Sequence, residues 1–361
     1  MTAATTLPRS TIQPAGDVTG ARHGDYRRRR ALAVVLAVLA LLVVCGMSMA
    51  LGSRWIDPAT IWQALTDYHS GSTLQDIIID QRMPRTLLGL LAGACLGGAG
   101  TLMQGITRNP LADPGLLGVN AGASLSVVLA ITFLGVTNPG HFIWFALVGA
   151  AAATALVYAV GSRGREGATP VTLALAGTAV TAGVTSVITL LLMSNQQTMS
   201  TYRFWSVGSL AGRDGPANLS TTGALLPFLA VGFVLAIFCA RQLNLIALGG
   251  DLARGLGLNL GLARGMSALA VVLLAGTATA LAGPLVFVGL VVPHAARMVM
   301  GPDYRWILAG SLLFGPVMLL GADVLGRVII PRSELEAGLV VAAVGAPVMI
   351  AIVRRVRLVQ V

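Results

Sequence analysis

From residue 31 to residue 353 the chain repeats one pattern, a largely apolar run of about 20 residues followed by a short polar connection. A bilayer core of roughly 30 Å takes about 20 apolar helical residues to cross, so each run predicts one crossing. The windows lie at 31–51, 84–105, 114–135, 141–160, 170–194, 221–240, 264–283, 285–300, 306–327 and 337–353. The expectation is an all-α polytopic membrane domain over 31–357 with about ten transmembrane helices, preceded by a disordered polar tail at 1–30. With 55% hydrophobic and only 11% charged residues, the chain has too little polar surface for a soluble domain.

All 24 basic residues are arginine; the sequence holds no lysine. A Walker A loop needs a lysine that reaches the terminal phosphates, so an ordinary P-loop ATPase is excluded. The formal charge of +10 does not point to nucleic acid, because the arginines are scattered between apolar runs. They read as an orientation signal. With the N-terminus in the cytoplasm, the inner side receives Arg9, Arg22, Arg27 to Arg30, Arg108, Arg163, Arg165, Arg241, Arg254, Arg264, Arg297, Arg305, Arg354, Arg355 and Arg357. That is 17 of 24 against 7 outside, which favours an even number of crossings and two cytoplasmic termini.

The run after Arg30 opens like a signal peptide, but its 21 apolar residues are long enough to span, and it reads as an uncleaved first helix. Cys45, Cys95 and Cys239 sit in apolar runs without CxxC pairing, as small buried hydrophobes do. "RTLLGLLAGACLGGAGTLMQG" from Arg85 and "RGMSALAVVLLAGTATALAGP" from Arg264 resemble each other weakly. With five helices per half they would form an inverted repeat; the alternative is that spans rich in small residues look alike by chance. Asp323 is the single carboxylate within the windows, near an outer end. Carriers coupled to protons or sodium usually keep such a group at mid-depth, so self-powered secondary transport or a channel is the weaker alternative.

Between the second and third windows stands "MQGITRNPLADPGLLGVNAGASL", whose Asn109-Pro110 and Asp113-Pro114-Gly115 are turn signals, with Asp113 placed to cap a helix that starts at Pro114. Upstream is "QRMPRT"; far downstream come "LVFVGLVVPHAARMVMGPDYRW" and "GADVLGRVIIPRSELEAGLVVAAVGAPVMI". In this order and spacing the motifs resemble the FecCD family, permease subunits of bacterial ATP-driven importers for ferric siderophores, haem and cobalamin. The resemblance covers residues 30 to 357.

It implies a permease dimer, from two identical or two related copies, in the bacterial inner membrane. Two ATP-binding-cassette ATPases that hold ATP and Mg would sit beneath, and an extracytoplasmic substrate-binding protein would dock from outside. No cofactor is implied in this chain. Transport by alternating access of a metal chelate follows, most often a ferric siderophore, with cobalamin and haem open. Arg82, Arg85 and Arg327 match family positions that receive glutamates of the binding protein, a task that suits a planar, permanently charged guanidinium. On the residues alone, snorkelling at the interface is the other reading. Asn109, Leu111 and Thr169 match turns that form the cytoplasmic gate.

Residues 241–263 form the longest cytoplasmic connection. "GLGLNLG" misses the GxGxxG dinucleotide pattern by one position and follows no strand. Asp251 is expected to cap a short helix reaching Leu256, with Gly257 as its stop. The resemblance makes Gly250, Asp251, Ala253, Arg254, Leu256 and Gly257 the coupling helix that seats in the ATPase; by itself the stretch reads as a solvated linker. His294 lacks a His, Cys, Asp or Glu at i±3 or i±4 and reads as helix packing. "GASLS" fails GxSxG at its last position, so an intramembrane hydrolase finds no support.

Overall fold

The computed structural model describes residues 18–357 apart from 53, 70, 164–168, 212–215 and 331–332. Within them lie fourteen α-helices. The first seven are α1 (Val18–Ala50), α2 (Pro58–Thr66), α3 (Thr73–Asp76), α4 (Met83–Thr107), α5 (Val119–Leu134), α6 (Pro139–Gly161) and α7 (Pro170–Ser194). The rest are α8 (Gln196–Ser206), α9 (Pro216–Ala247), α10 (Gly250–Gly255), α11 (Leu260–Ala282), α12 (Val288–Met300), α13 (Tyr304–Ile329) and α14 (Ala337–Arg357). A π-helical turn, Ile77–Arg82, leads into α4, and a 3-10 turn, Pro114–Leu117, precedes α5.

Helix starts follow local chemistry. Asp57, Asn138, Asn259 and Asp303 each accept a first-turn backbone N–H at α2, α6, α11 and α13. Thr169 opens α7 in a reciprocal pair with Thr172, ahead of Pro170. Every apolar window coincides with a helix, but among the described residues seven helices are long and apolar enough to cross a membrane. The helices of the third, eighth and tenth windows offer shorter apolar stretches, Val119–Leu134, Val288–Met300 and, within α14, Ala337–Ala351. Two of them lose length at a break. The window from 114 begins as a 3-10 turn and a left-handed Gly118 (φ +75°), and the window from 285 becomes helical only at Val288.

Those breaks are held by protein, as unwound backbone at membrane depth requires: at the first the Thr154 hydroxyl donates to the Leu117 carbonyl, and at the second backbone pairs with backbone. Ser209 N–H donates to the Ala282 carbonyl and Gly338 N–H to the Gly208 carbonyl. Gly283 sits at φ +78°, where a Cβ would stand 2.4 Å from the Trp205 carbonyl oxygen, so only glycine fits the turn.

The centre of the bundle is α4, packed on α13, α11, α12 and α9. Its small residues let backbones touch. A Cβ on Gly93 would lie 2.6 Å from the Pro316 backbone, and Gly315 has the same tightness toward Gly93. By contrast α1 and α7 expose most of their surface, including Leu42, Val43, Leu175 and Leu190.

Residues 18–30, expected as part of a disordered tail, instead continue α1. Arg29 and Arg30 explain part of this, since they donate to the Met298 and Met300 carbonyls and Arg30 stacks over Trp306 at 5.2 Å. Residues 1–17 of that tail lie outside the described residues.

Candidate functional site

At the end of the bundle away from the α1 N-terminus, α1, α4 and α13 meet around one carboxylate. Asp323 is fully buried four residues before Arg327 on α13, so the two side chains share a helix face and pair directly. Arg85, from the first turn of α4, reaches the same carboxylate at 2.8 Å and binds Glu334 at 2.8 Å with its other nitrogen. Arg327 also donates to the Ser48 and Leu51 carbonyls and the Ser48 hydroxyl. Arg82 lies alongside with no ion pair among the described residues, donating to the Met49 carbonyl at the end of α1 and to the Arg54 carbonyl in the connection beyond it.

The three arginines named from sequence are therefore brought together, and all three are mostly buried. The exposed group of the cluster is Glu334, which pairs with Arg85 from the solvent side. Asp323 and Glu334 were missed as members of this site. The signal available was the i, i+4 spacing of Asp323 and Arg327.

At the opposite end, α9 and α11 are joined by α10. Ala253 is buried beneath it, while Leu252 and Leu256 are 55% and 57% exposed. Asp251 and Arg254 pair at 2.9 Å on the solvent face. Asp251 is not the cap expected of it; that position is Gly249 at φ +114°, and Asp251 lies one residue inside the first turn. A left-handed glycine there starts the helix without a side-chain acceptor. The C-terminus does match expectation. Gly257, at φ +83°, donates to the Arg254 carbonyl and Leu258 to the Ala253 carbonyl, the paired bonds by which a left-handed glycine stops a helix. Gly249 and Gly257 thus bracket α10, and Gly250 is its first residue.

Nearby, Asn244 at the end of α9 donates to the Asp303 carboxylate at 2.7 Å and accepts from the Tyr304 N–H at 2.9 Å. This fixes α9, the helix that leads into α10, to the start of α13.

Asn109, Leu111 and Thr169 are each held locally. Asn109 accepts the Leu111 N–H at 2.9 Å, Leu111 projects 42% exposed, and Thr169 caps α7. Asp113 accepts the Gly115 N–H at 2.7 Å, and burial pushes its carboxyl up to about 6 despite that bond. His294 lies half-buried on α12, and no group of three or more His, Cys, Asp or Glu able to hold a metal stands among the described residues.

The profile of the FecCD transport family matches residues 39–355. The chain belongs to the FecCD transport family. It is a multi-pass membrane permease of the ABC type, which implies an ATPase and a binding protein as partners and leaves catalysis to another chain. The family carries no cofactor in its permease chain. Relatives include the probable siderophore transport system permease protein YfiZ of Bacillus subtilis (strain 168), 41% identical over 89% of this chain and 95% of that protein. The ferric enterobactin transport system permease protein FepD of Escherichia coli (strain K12) is 42% identical over 92% and 98%. The hemin transport system permease protein HmuU of Yersinia pestis is 33% identical over 93% and 98%. Among solved structures, an inward-facing metal-chelate type ABC transporter superposes with a TM-score of 0.72 at 24% identity, covering 89% of this chain and 98% of that one. This last likeness speaks for the fold alone.

Proposed function

We propose that the chain crosses the bacterial inner membrane ten times with both termini inside, pairs with a second permease copy, and imports a ferric siderophore by alternating access. The observation that carries the cargo is the similarity, along nearly the whole chain, to permeases named for siderophore and ferric enterobactin transport. Haem is the alternative that the hemin permease keeps open. Ten crossings accord with the ten apolar helices and with 17 of 24 arginines falling on one side. The short helices can complete a crossing through their unwound ends, which the bundle seals.

An inverted repeat of two five-helix halves has two supports. The segments paired by resemblance, α4 and α11, are equally enclosed and pack against each other. The helix after each, α5 and α12, begins with a break at the same relative place. The exposed faces of α7 suit the second copy.

In this reading the Arg82, Arg85 and Arg327 cluster faces outward and receives the binding protein, chiefly through Arg85, where Glu334 is the group a docking glutamate would replace. Gly250, Asp251, Ala253, Arg254, Leu256 and Gly257 form the coupling element toward the ATPase, which holds ATP and Mg. Leu252 and Leu256 offer the apolar grip, and Arg254 the charge. The Asn244–Asp303 contact would carry its movement to α13. Asn109, Leu111 and Thr169 would shape the inner gate. Two states that differ in which side is open then follow from ATP binding beneath.

The test is uptake of radiolabelled ferric siderophore by proteoliposomes holding this permease, its ATPase and its binding protein. Uptake that needs ATP on the α10 side is expected; uptake without ATP would refute the importer. Competition by hemin but not by ferric siderophores would move the cargo to haem.

A further inference from the structure

Beside α10 the surface opens into a cationic cleft of about 400 Å³ lined by Tyr158, Ser162, Arg254, Asn259 and Arg264, with no acidic side chain in its lining among the described residues. Arg254 and Arg108 both lie close enough to repel Arg264. Asp251 faces Arg254 from the solvent side, where it is fully exposed and holds the guanidinium only weakly. A second hollow, also about 400 Å³, continues from Tyr158 along the seam between α6 and α11. Its walls are Ala151, Ala155, Leu269 and Val272, and Gly265, next to Arg264, leaves its floor open, since a Cβ there would meet nothing within 4 Å. Thr154 also lines it, but its hydroxyl is bound inward to the Leu117 carbonyl at 3.1 Å, so the wall it presents is apolar.

A charged cleft at a helix end, joined through one tyrosine to an apolar groove between spanning helices, has the two-part chemistry of a phospholipid. We propose that this seam holds an anionic phospholipid, its phosphate between Arg254 and Arg264 and one acyl chain along α6 and α11. Charge complementarity and continuity of the two hollows decide for a lipid: a free anion would leave the groove unused, and an acidic protein segment would not follow it into the bilayer. Lipid seated here touches both α10 and the first turn of α11, so its headgroup would steady the coupling element.

Native mass spectrometry of the delipidated full-length chain tests this by titration with phosphatidylglycerol, phosphatidylcholine of the same acyl chains, and inorganic phosphate. Phosphatidylglycerol is expected to bind in preference. Arg264→Gln should weaken it about fivefold while leaving phosphatidylcholine unchanged. Thermal unfolding of the variant, measured alongside, separates loss of the headgroup contact from loss of fold. Ala155→Phe, which fills the groove from an exposed position, should weaken both lipids. Equal affinity for the two lipids, or variants that bind like the parent, would overturn the proposal. So would displacement of phosphatidylglycerol by millimolar phosphate, which would mark an anion site without a lipid, or its complete displacement on adding the ATPase, which would give the cleft to that partner. The measurement needs neither ATP nor cargo, so its outcome is separate from that of the uptake experiment.

Discussion

The two ends of the bundle use arginine in opposite ways. At one end Arg327 is 5% exposed and bound to Asp323, two carbonyls and a hydroxyl, and Arg85 shares the same carboxylate. At the other, Arg254 keeps 66% of its side chain in solvent and pairs with an Asp251 that is wholly exposed. A guanidinium taken out of water persists only with its charge answered nearby, so the first arrangement knits α1, α4 and α13 whatever else it does. An exposed pair contributes almost nothing to stability and is free to change partners. The difference separates a buried structural node from an exposed helix that, in the proposed reading, meets the ATPase.

The largest test of that comparison is Asp323→Asn. It leaves Arg327 and Arg85 buried around a neutral amide, and breaking a buried pair costs about 3–5 kcal/mol. Thermal unfolding of the purified permease is expected at a clearly lower temperature, with less folded protein recovered. Unfolding at the parent temperature would mean that water reaches the cluster and that its arginines are as available as Arg254.

The opposite end should respond in the reverse sense. Arg254→Glu with Leu256→Asp alters two exposed side chains and should leave unfolding unchanged, while ATP-driven uptake falls about tenfold or more if they are hot spots of the ATPase contact. ATPase activity measured alongside distinguishes uncoupling from detachment. Parent-like uptake would return α10 to the status of a solvated linker.

What was legible in the sequence tracks the range of the interaction. The spans were, since apolar length alone forces them, and so was the stop at Gly257. Arg82, Arg85 and Arg327 were found as motif positions, but not their burial, because Arg85 meets Asp323 across 238 residues. Apolar windows carry no record of backbone handedness, so the breaks at Gly118 and before Val288, where Phe287 sits at φ +67°, went unread. The short amphipathic α2 and α8 fell below the length that a membrane window detects. Residues 18–30 looked like a polar tail because the carbonyls that receive Arg29 and Arg30 lie some 270 residues away.

The smallest expected effect sharpens the comparison most, because it asks whether the buried end also serves as a receptor. Glu334 is 38% exposed and holds the one nitrogen of Arg85 that Asp323 does not engage. Glu334→Gln removes a charge near the surface, where an ion pair contributes about 0–1 kcal/mol, so unfolding should shift little. It also removes the competitor for that nitrogen while Asp323 keeps the guanidinium in place. If the binding protein docks by offering its own carboxylate to Arg85, the variant should bind it more tightly, by up to about fivefold, and depend more steeply on salt. Surface plasmon resonance across a salt series reads both. Weaker binding would instead make Glu334 part of the contact and Arg85 only its support.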